Sequence, residues 1–154
     1  MNTPSKDAIS LLIKYHKDVK AMFKQFEALS DRSTASKKKV ADQICRALTL
    51  HTQVEEEIFY PTVRATIKDG DLMDEALAEH ASAKKLIAEI QDMDPGDALY
   101  DAKVQVLSEQ IEHHVGEEED TMFPKVRKTS LDLVVLGAHM SGRKEQLEKV
   151  YDGS

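Results

Sequence analysis

Apolar residues recur along this chain at intervals of three and four, the spacing of one face of an α-helix. No stretch shows the alternation of apolar and polar residues that is typical of a half-buried strand. Four turn-like breaks, SDRSTAS, KDGD, DMDPGD and RKTSLD, interrupt the helical pattern. The pattern therefore predicts an all-α fold. The predicted helices lie near residues 4–29, 36–68, 72–92, 97–127 and 131–151.

Short connections between the first four predicted helices make consecutive helices antiparallel neighbours. This predicts an up-down-up-down four-helix bundle over about 4–128, with a shorter fifth helix at about 131–151 packed on it. The chain has 154 residues, enough for one domain with a core and too few for two ordinary ones. Pro4 suits a first helical turn, whereas Pro61 and Pro124 lie late in long helices and predict a kink or an early end there.

Six polar residues lie inside the apolar stripes of the first four predicted helices. Every one of these helices carries an inward histidine, and the second and fourth add an inward glutamate one turn later. A buried carboxylate without a partner is costly, so the pattern predicts cations or protons at the same depth. One inward histidine alone is usually a core residue with satisfied hydrogen bonds, but four helices in agreement favour a metal site. The candidate ligands are His16, His51, Glu55, His80, His114 and Glu118.

The segment HTQVEEEIFYP is repeated further along the chain as HVGEEEDTMFP. Superposing the prolines that end the two segments also pairs their histidines and glutamates. The inward histidines of the first and third helices, His16 and His80, fall one residue away from the same offset. The repeat predicts two helix pairs related by a pseudo-two-fold axis. Each half would supply two histidines and one carboxylate, which suits two metal ions bridged by Glu55 and Glu118.

The available donor atoms limit which metal such a site would hold. Cys45 is the only cysteine, so neither an intramolecular disulfide nor a thiolate zinc site is expected. Pure oxygen cages for Ca²⁺ or Mg²⁺ would not use four histidines. A mixed imidazole and carboxylate site favours iron first and manganese second, with zinc as a further alternative. Octahedral ions in this site would have room for a bridging oxide or hydroxide and for an exchangeable position that O₂, peroxide or nitric oxide could use.

The type, order and helical register of the six candidate ligands resemble the repeated His-His-Glu pattern of hemerythrin-like, or HHE, cation-binding domains. The likeness covers roughly residues 5–128, and the closing LGAHMSGRKEQL resembles the fifth helix of some bacterial members. In both repeated segments the histidine precedes the glutamate by four positions, whereas ferritin-like di-iron bundles use Glu-x-x-His. The resemblance implies a four-helix bundle with a non-haem di-iron centre that handles O₂ or a related small molecule.

Two positions depart from the oxygen-carrying hemerythrins. Those proteins have a further histidine one turn after the third-helix ligand, where this chain has Lys84, and an aspartate where it has Glu118. Reversible O₂ carriage is therefore disfavoured. Three functions stay open: a di-iron protein that binds or senses O₂, nitric oxide or iron, an oxidoreductase that detoxifies peroxide or nitric oxide, and a bundle with an incidental zinc or nickel site.

Charge and apolar pattern limit the partners. The net charge of −7 disfavours binding to nucleic acid or to an anionic membrane surface. No apolar run approaches the length of a membrane span, and MNTPSKDAIS lacks the features of a secretion signal. These features predict a cytoplasmic protein. They leave its redox partner undefined.

Several residues near the candidate ligands are expected to have other roles. Phe59 and Met122 are expected to form an apolar lid. Tyr60 is expected either to hydrogen-bond near the metals or to pack at the bundle end, and packing is favoured. His113 and His139 are expected to lie outside the site. Lys84, which faces inward, is expected either to extend to solvent or to pair with a carboxylate near the centre. The acidic residues after the two inward glutamates are expected to turn mostly to solvent: Glu56, Glu57, Glu119 and Asp120.

Overall fold

A computed structural model describes residues 7–29 and 33–153 of the chain. Within these ranges all regular structure is helical, as the apolar periodicity predicts. Pro4, expected in a first helical turn, lies outside the described residues. The helices are α1 (Ala8–Glu27), α2 (Thr34–Val54), α3 (Tyr60–Ile67), α4 (Gly70–Asp92), α5 (Tyr100–Glu117), α6 (Phe123–Arg127) and α7 (Leu133–Gly153). Two π-helical segments, which we call the first and second π turns, span Glu55–Phe59 and Glu118–Met122.

Aspartates cap the helices that begin the two halves of the repeat. Asp7 accepts a hydrogen bond of 2.7 Å from the backbone N–H of Ser10, in the first turn of α1. Asp69 accepts one of 3.2 Å from the backbone N–H of Leu72, in the first turn of α4. Each cap satisfies a backbone donor that has no partner within its own helix.

Neither long helix ends early at its proline. Helical residues run without interruption through Pro61 and Pro124, each of which follows a π turn. In the first π turn the N–H of Tyr60 bonds to the carbonyl of Glu55, five residues earlier, and the second π turn has the same pattern. A proline ring crowds the carbonyl four residues before it and has no N–H to donate. The extra residue of a π turn relieves that conflict, so the helix continues.

The helices pack as two pairs. α1 contacts α2, and α4 contacts α5, as the internal repeat predicts. The pairs meet where α2 contacts α4 and where α1 contacts α5. α7 lies against α1, α2 and the first π turn. With 21 residues, α7 is longer than α1, which has 20, so the prediction of a shorter fifth helix is wrong in that comparison.

Two separate apolar clusters fill the interior, and the inward histidines lie between them. In α1, Leu12 belongs to one cluster and Val19 to the other, with His16 between them along the helix. In α4, Ala76 and Ala83 belong to the two clusters and enclose the inward histidine in the same way. The histidines and glutamates thus form a polar layer with an apolar layer on each side. No helix in the described ranges is apolar over enough of its length to cross a bilayer.

Candidate metal centre

The structure brings the six predicted ligands together in the polar layer. They form two groups of four that share both glutamates, and in each group the donor atoms lie within 4.8 Å of one another. All six side chains are buried. We call them the first half (His16, His51, Glu55 and Glu118) and the second half (His80, His114, Glu55 and Glu118).

Both glutamates connect the two halves. Glu118 uses separate oxygens, since its Oε1 lies 3.2 Å from Nε2 of His16 and its Oε2 lies 3.1 Å from Nε2 of His114. Oε1 of Glu55 lies 3.1 Å from Nε2 of His51 and 3.1 Å from Nε2 of His80. Neighbouring donors around one octahedral ion with bonds of about 2.1 Å are separated by about 3 Å. The distances between donor atoms therefore match shared metal coordination.

Four of these donor atoms are buried and make no hydrogen bond of acceptable geometry, although three of them lie within 3.2 Å of a carboxylate oxygen or imidazole nitrogen. A buried polar atom left unsatisfied costs roughly 1–3 kcal/mol, so four in one layer need a binding partner. Metal ions that accept their lone pairs would supply one. Imidazole and carboxylate without thiolate is a donor set that iron, manganese and zinc accept. The four atoms are Nε2 of His16, Nε2 of His51, Oε2 of Glu55 and Oε1 of Glu118.

Three of the four histidines bind a further glutamate through the outward ring nitrogen, Nδ1. Such an outer carboxylate orients the ring, leaves Nε2 free for a metal and makes the imidazole a stronger donor. The prediction that Glu56 and Glu119 face solvent is therefore wrong. Glu79 is absent from the predictions because it lies outside the repeated segments, although it directly precedes His80. The pairs are His16–Glu119 at 2.7 Å, His80–Glu56 at 2.7 Å and His114–Glu79 at 2.6 Å.

The remaining charged residues near the site have other partners. Glu57 and Asp120 are exposed, as predicted. Glu57 also pairs with Arg143 of α7, whose Nε lies 2.7 Å from Oε1 of the glutamate. Nζ of Lys84 lies 2.7 Å from Oε1 of Glu56, so the expected pair with a carboxylate is present. The Lys84 side chain is 51 % exposed, so the prediction that it faces inward is wrong. Lys84 thus supports the outer carboxylate of His80.

Tyr60 belongs to the second half of the site, so the prediction that it packs at the bundle end is wrong. Its hydroxyl lies 3.3 Å from Oε1 of Glu55 and also contacts Oε2 of Glu118. The same hydroxyl lies 3.1 Å from Nε2 of His80 and 3.2 Å from Nε2 of His114. The first π turn is the cause, because its extra residue places Tyr60 one full turn after Glu55.

The other neighbouring residues stay outside the two groups. Phe59 and Met122 are buried, as a lid requires. Phe123, the counterpart of Tyr60 in the repeat, stacks on the ring of His16 with centroids 6.1 Å apart and an interplanar angle of 2°. The side chain of His113 is 67 % exposed and His139 is exposed, and neither belongs to the two groups.

Comparison with known proteins assigns the family. The model of the hemerythrin HHE cation-binding domain matches residues 7–126. The chain belongs to this HHE family. A solved structure of an HHE cation-binding domain-containing protein, the Rv2633c homolog from Mycobacterium kansasii, superposes with a TM-score of 0.79 at 23 % identity. The match covers 95 % of this chain and 93 % of that one, which shows a shared fold.

A longer relative contains a similar region. A protein named DNA nickase from Nostoc sp. (strain PCC 7120 / SAG 25.82 / UTEX 2576) is 30 % identical to this HHE domain over 112 residues. The matched region is 73 % of this chain and 31 % of the relative, so the chain spans less than a third of that protein.

Attraction between the buried histidines and glutamates shifts their pKa values in the metal-free HHE site. Burial alone would lower the pKa of His114, but Glu118, Glu55 and Glu79 outweigh burial and raise that pKa to about 10. The pKa values of His16 and His80 are raised for the same reason. Burial alone would raise the pKa of Glu55, but nearby His51 and His80 hold it well below its usual range. Without metal, these shifts favour protonated rings at His16, His80 and His114 beside an ionised Glu55, so metal binding must release protons.

The raised histidine pKa values predict that the metal-free protein loses stability in base. The stabilisation from His114 is complete below its ordinary pKa of 6.5 and is lost as the pH rises to about 10. We expect the Tm of chelator-treated protein, followed by circular dichroism, to fall across that range. Zinc-loaded protein should show a much flatter profile, because metal-bound imidazoles carry no such proton. A Tm that rises with pH in the metal-free protein would contradict the assignment.

A cavity of about 190 Å³ leads from the surface to the HHE site and touches all four of its histidines. Its polar edge includes Ser82, whose hydroxyl donates a hydrogen bond of 3.3 Å to Gln110. A water molecule takes up about 30 Å³ in the liquid, so the cavity has room for small molecules beside the four histidine rings. Its apolar wall is formed by Val19, Leu48, Ala83, Ile111 and Val115.

Proposed function

We propose that this HHE domain is a non-haem di-iron protein that binds O₂ or a related small molecule, peroxide or nitric oxide. In this proposal an up-down-up-down four-helix bundle holds one iron in each half of the site. The observation that carries the proposal is the sharing of Glu55 and Glu118 by two groups of buried histidines. Two separate metal sites would need no shared carboxylate. Apolar packing alone would not leave four donor atoms unsatisfied.

Each part of the chain has a defined task in this proposal. The four histidines and two glutamates would hold the metals, and the hydroxyl of Tyr60 offers a further oxygen donor to the second half. The outer glutamates orient three of the rings. The apolar layers on both sides exclude water, which strengthens the electrostatic interactions inside. A bound iron pair would supply redox chemistry and an exchangeable position for the small molecule.

Turnover of peroxide or nitric oxide at the same centre is the second candidate function. The cavity that touches all four histidines favours it, because a substrate must enter and a product must leave. We do not extend the proposal to DNA cleavage. The chain carries a net charge of −7, which disfavours contact with a phosphate backbone, and it matches 31 % of the nickase.

Metal analysis and absorption spectroscopy test the proposal together. Apo-protein is reconstituted anaerobically with iron(II), freed of excess metal and exposed separately to O₂, hydrogen peroxide and nitric oxide. We expect two irons per chain and, after oxidation, near-ultraviolet charge-transfer bands that zinc-loaded protein lacks. Catalytic consumption of peroxide or nitric oxide would favour the second function over binding alone. Retention of far fewer than two irons per chain would exclude the dinuclear centre.

Replacing Tyr60 with phenylalanine tests the predicted oxygen donor. If its phenolate binds iron(III), oxidised protein shows a visible charge-transfer band that Y60F lacks. The matched control is Y100F, because Tyr100 is also fully buried but lies in an apolar cluster away from the site. Absorption spectra of the three proteins at equal iron content provide the measurement. An unchanged visible spectrum in Y60F would show that the hydroxyl does not bind the metal.

A further inference from the structure

The two halves of the site follow the internal repeat closely, but two neighbouring positions differ. The outer glutamate of His16 is Glu119, and that of His80 is Glu56. These two glutamates occupy equivalent positions of the repeat, because each directly follows a shared glutamate. One break in the symmetry involves the residues that directly precede these histidines, which are Tyr15 in the first half and Glu79 in the second. The other break is the pair of Tyr60 and Phe123 described above. Both differences affect the surroundings of the donor atoms.

Tyr15 contacts His51 where Glu79 contacts His114. The ring of Tyr15 lies flat on the imidazole of His51, with centroids 4.1 Å apart and an interplanar angle of 9°. The Tyr15 hydroxyl is buried without a hydrogen-bond partner. Within 7–29 and 33–153, the one carboxylate that pairs with His51 is the shared Glu55. A stacked ring positions the imidazole but accepts no hydrogen bond from Nδ1, so it does not make Nε2 a stronger donor.

The second half has more outer carboxylates than the first half, and it has an additional oxygen donor. Both of its histidines have an outer carboxylate, Glu56 for His80 and Glu79 for His114. It also has the hydroxyl of Tyr60, whereas the first half has the apolar ring of Phe123. Each difference favours metal binding in the second half.

We propose that the two halves bind metal in sequence, the second half first and more tightly, and that Tyr15 is the positioning residue that keeps the first half weaker. This proposal rests on the dinuclear centre proposed above. The metal of the first half is then the exchangeable one. Loss of one outer hydrogen bond typically lowers metal affinity 10- to 100-fold, so the two binding steps should differ by at least about 10-fold.

Metal binding without turnover tests this proposal. Apo-protein is titrated anaerobically with iron(II) and separately with zinc(II), and the affinities are measured by competition with a chelator of known affinity. We expect two resolved steps, and one retained metal per chain after mild chelation. H51A should abolish the weaker step and leave the tighter one in place. Loss of the tighter step in H51A would overturn the assignment of the halves.

Substitutions at Tyr15 and Glu79 test whether these residues set the affinities of the two binding steps or only support the fold. Y15E supplies the missing carboxylate and should strengthen the weaker step about 10-fold, which narrows the gap. E79Q should weaken the tighter step by a similar factor and also narrow the gap. Y100F, which alters a buried tyrosine in an apolar cluster away from the site, should change neither step. A Y15E protein that is folded by circular dichroism but leaves the weaker step unchanged would overturn the role of Tyr15.

The outcomes distinguish this inference from the function on which it rests. Two metals that bind in one step with equal affinity would overturn the sequential order and still support the dinuclear centre. Failure to bind two metals under any condition would instead remove the dinuclear centre itself. If the affinities of the two steps become more similar in Y15E and also in E79Q, both the sequential order and the dinuclear centre are supported.

Discussion

Replacing His114 with alanine is expected to lower the iron content of the purified protein from two ions per chain to one or fewer. The imidazole Nε2 lies 3.1 Å from the shared Glu118, and the ring is buried. Its loss also leaves Glu79 without the ring that it binds at 2.6 Å. Without His114, the second half keeps one histidine and the two shared glutamates. Iron quantified against protein concentration, after reconstitution with excess iron(II), provides the measurement.

His113 is the matched control, because it is the same residue type one position earlier on the same helix. Its side chain is 67 % exposed, and its Nε2 lies 3.4 Å from Oε2 of Glu79. H113A should therefore keep the iron content of the unmodified protein. Equal losses in the two variants would mean that the helical register of α5 differs from the one described. Circular dichroism of both variants would show whether H114A remains helical and has lost only its metal.

Replacing Phe59 with alanine is expected to lower the free energy of unfolding by about 3–5 kcal/mol. Phe59 is fully buried, and its ring lies 5.9 Å from those of Tyr60 and Phe123. Truncation removes buried apolar surface and leaves a cavity in the apolar layer next to the polar one. For a domain of about this size, such a loss lowers the Tm by roughly 6–20 °C.

The control for Phe59 is Val150 on α7, which is 65 % exposed. V150A should change the free energy of unfolding by about 0.5 kcal/mol or less, as most surface substitutions do. Urea unfolding of metal-free proteins measures both variants without a contribution from metal binding. A loss below about 1 kcal/mol for F59A would show that the first π turn packs less tightly than described.

Helical periodicity is what made the fold class and the six candidate ligands predictable. Residues three or four apart share one face of a helix, so a histidine within an apolar stripe must lie in the interior. His51 and Glu55 satisfy this rule, as do His114 and Glu118, because each glutamate is the first residue of its π turn and each histidine lies in the α-helix before it. The rule fails directly afterwards. Tyr60 lies beyond the first π turn, where regular periodicity gives the wrong face.

The pairing of the outer carboxylates with the histidines could not be predicted from the residue pattern of any single helix. Glu56 and Glu119 each bind a histidine on a different helix, so their partners depend on how the helices pack. On its own helix, a residue that follows an inward glutamate lies on the solvent side. The sequence gives no indication that Glu79 has a role in the site, since acidic residues are common on exposed helix faces. Only the tertiary arrangement shows that its carboxylate reaches His114.

The two π turns have a consequence for protein design. Someone who grafted both His-x-x-x-Glu pairs and the two lone histidines, His16 and His80, onto the regular helices of another bundle would reproduce all six candidate ligands. The graft would lack the extra residue before each proline, so the side chain one turn after each glutamate would be the counterpart of Phe59 or Met122. Tyr60 would then point elsewhere, rotated by about 100° around the helix axis. A faithful transplant must carry the complete π-helical segments Glu55–Phe59 and Glu118–Met122 along with the histidine ligands.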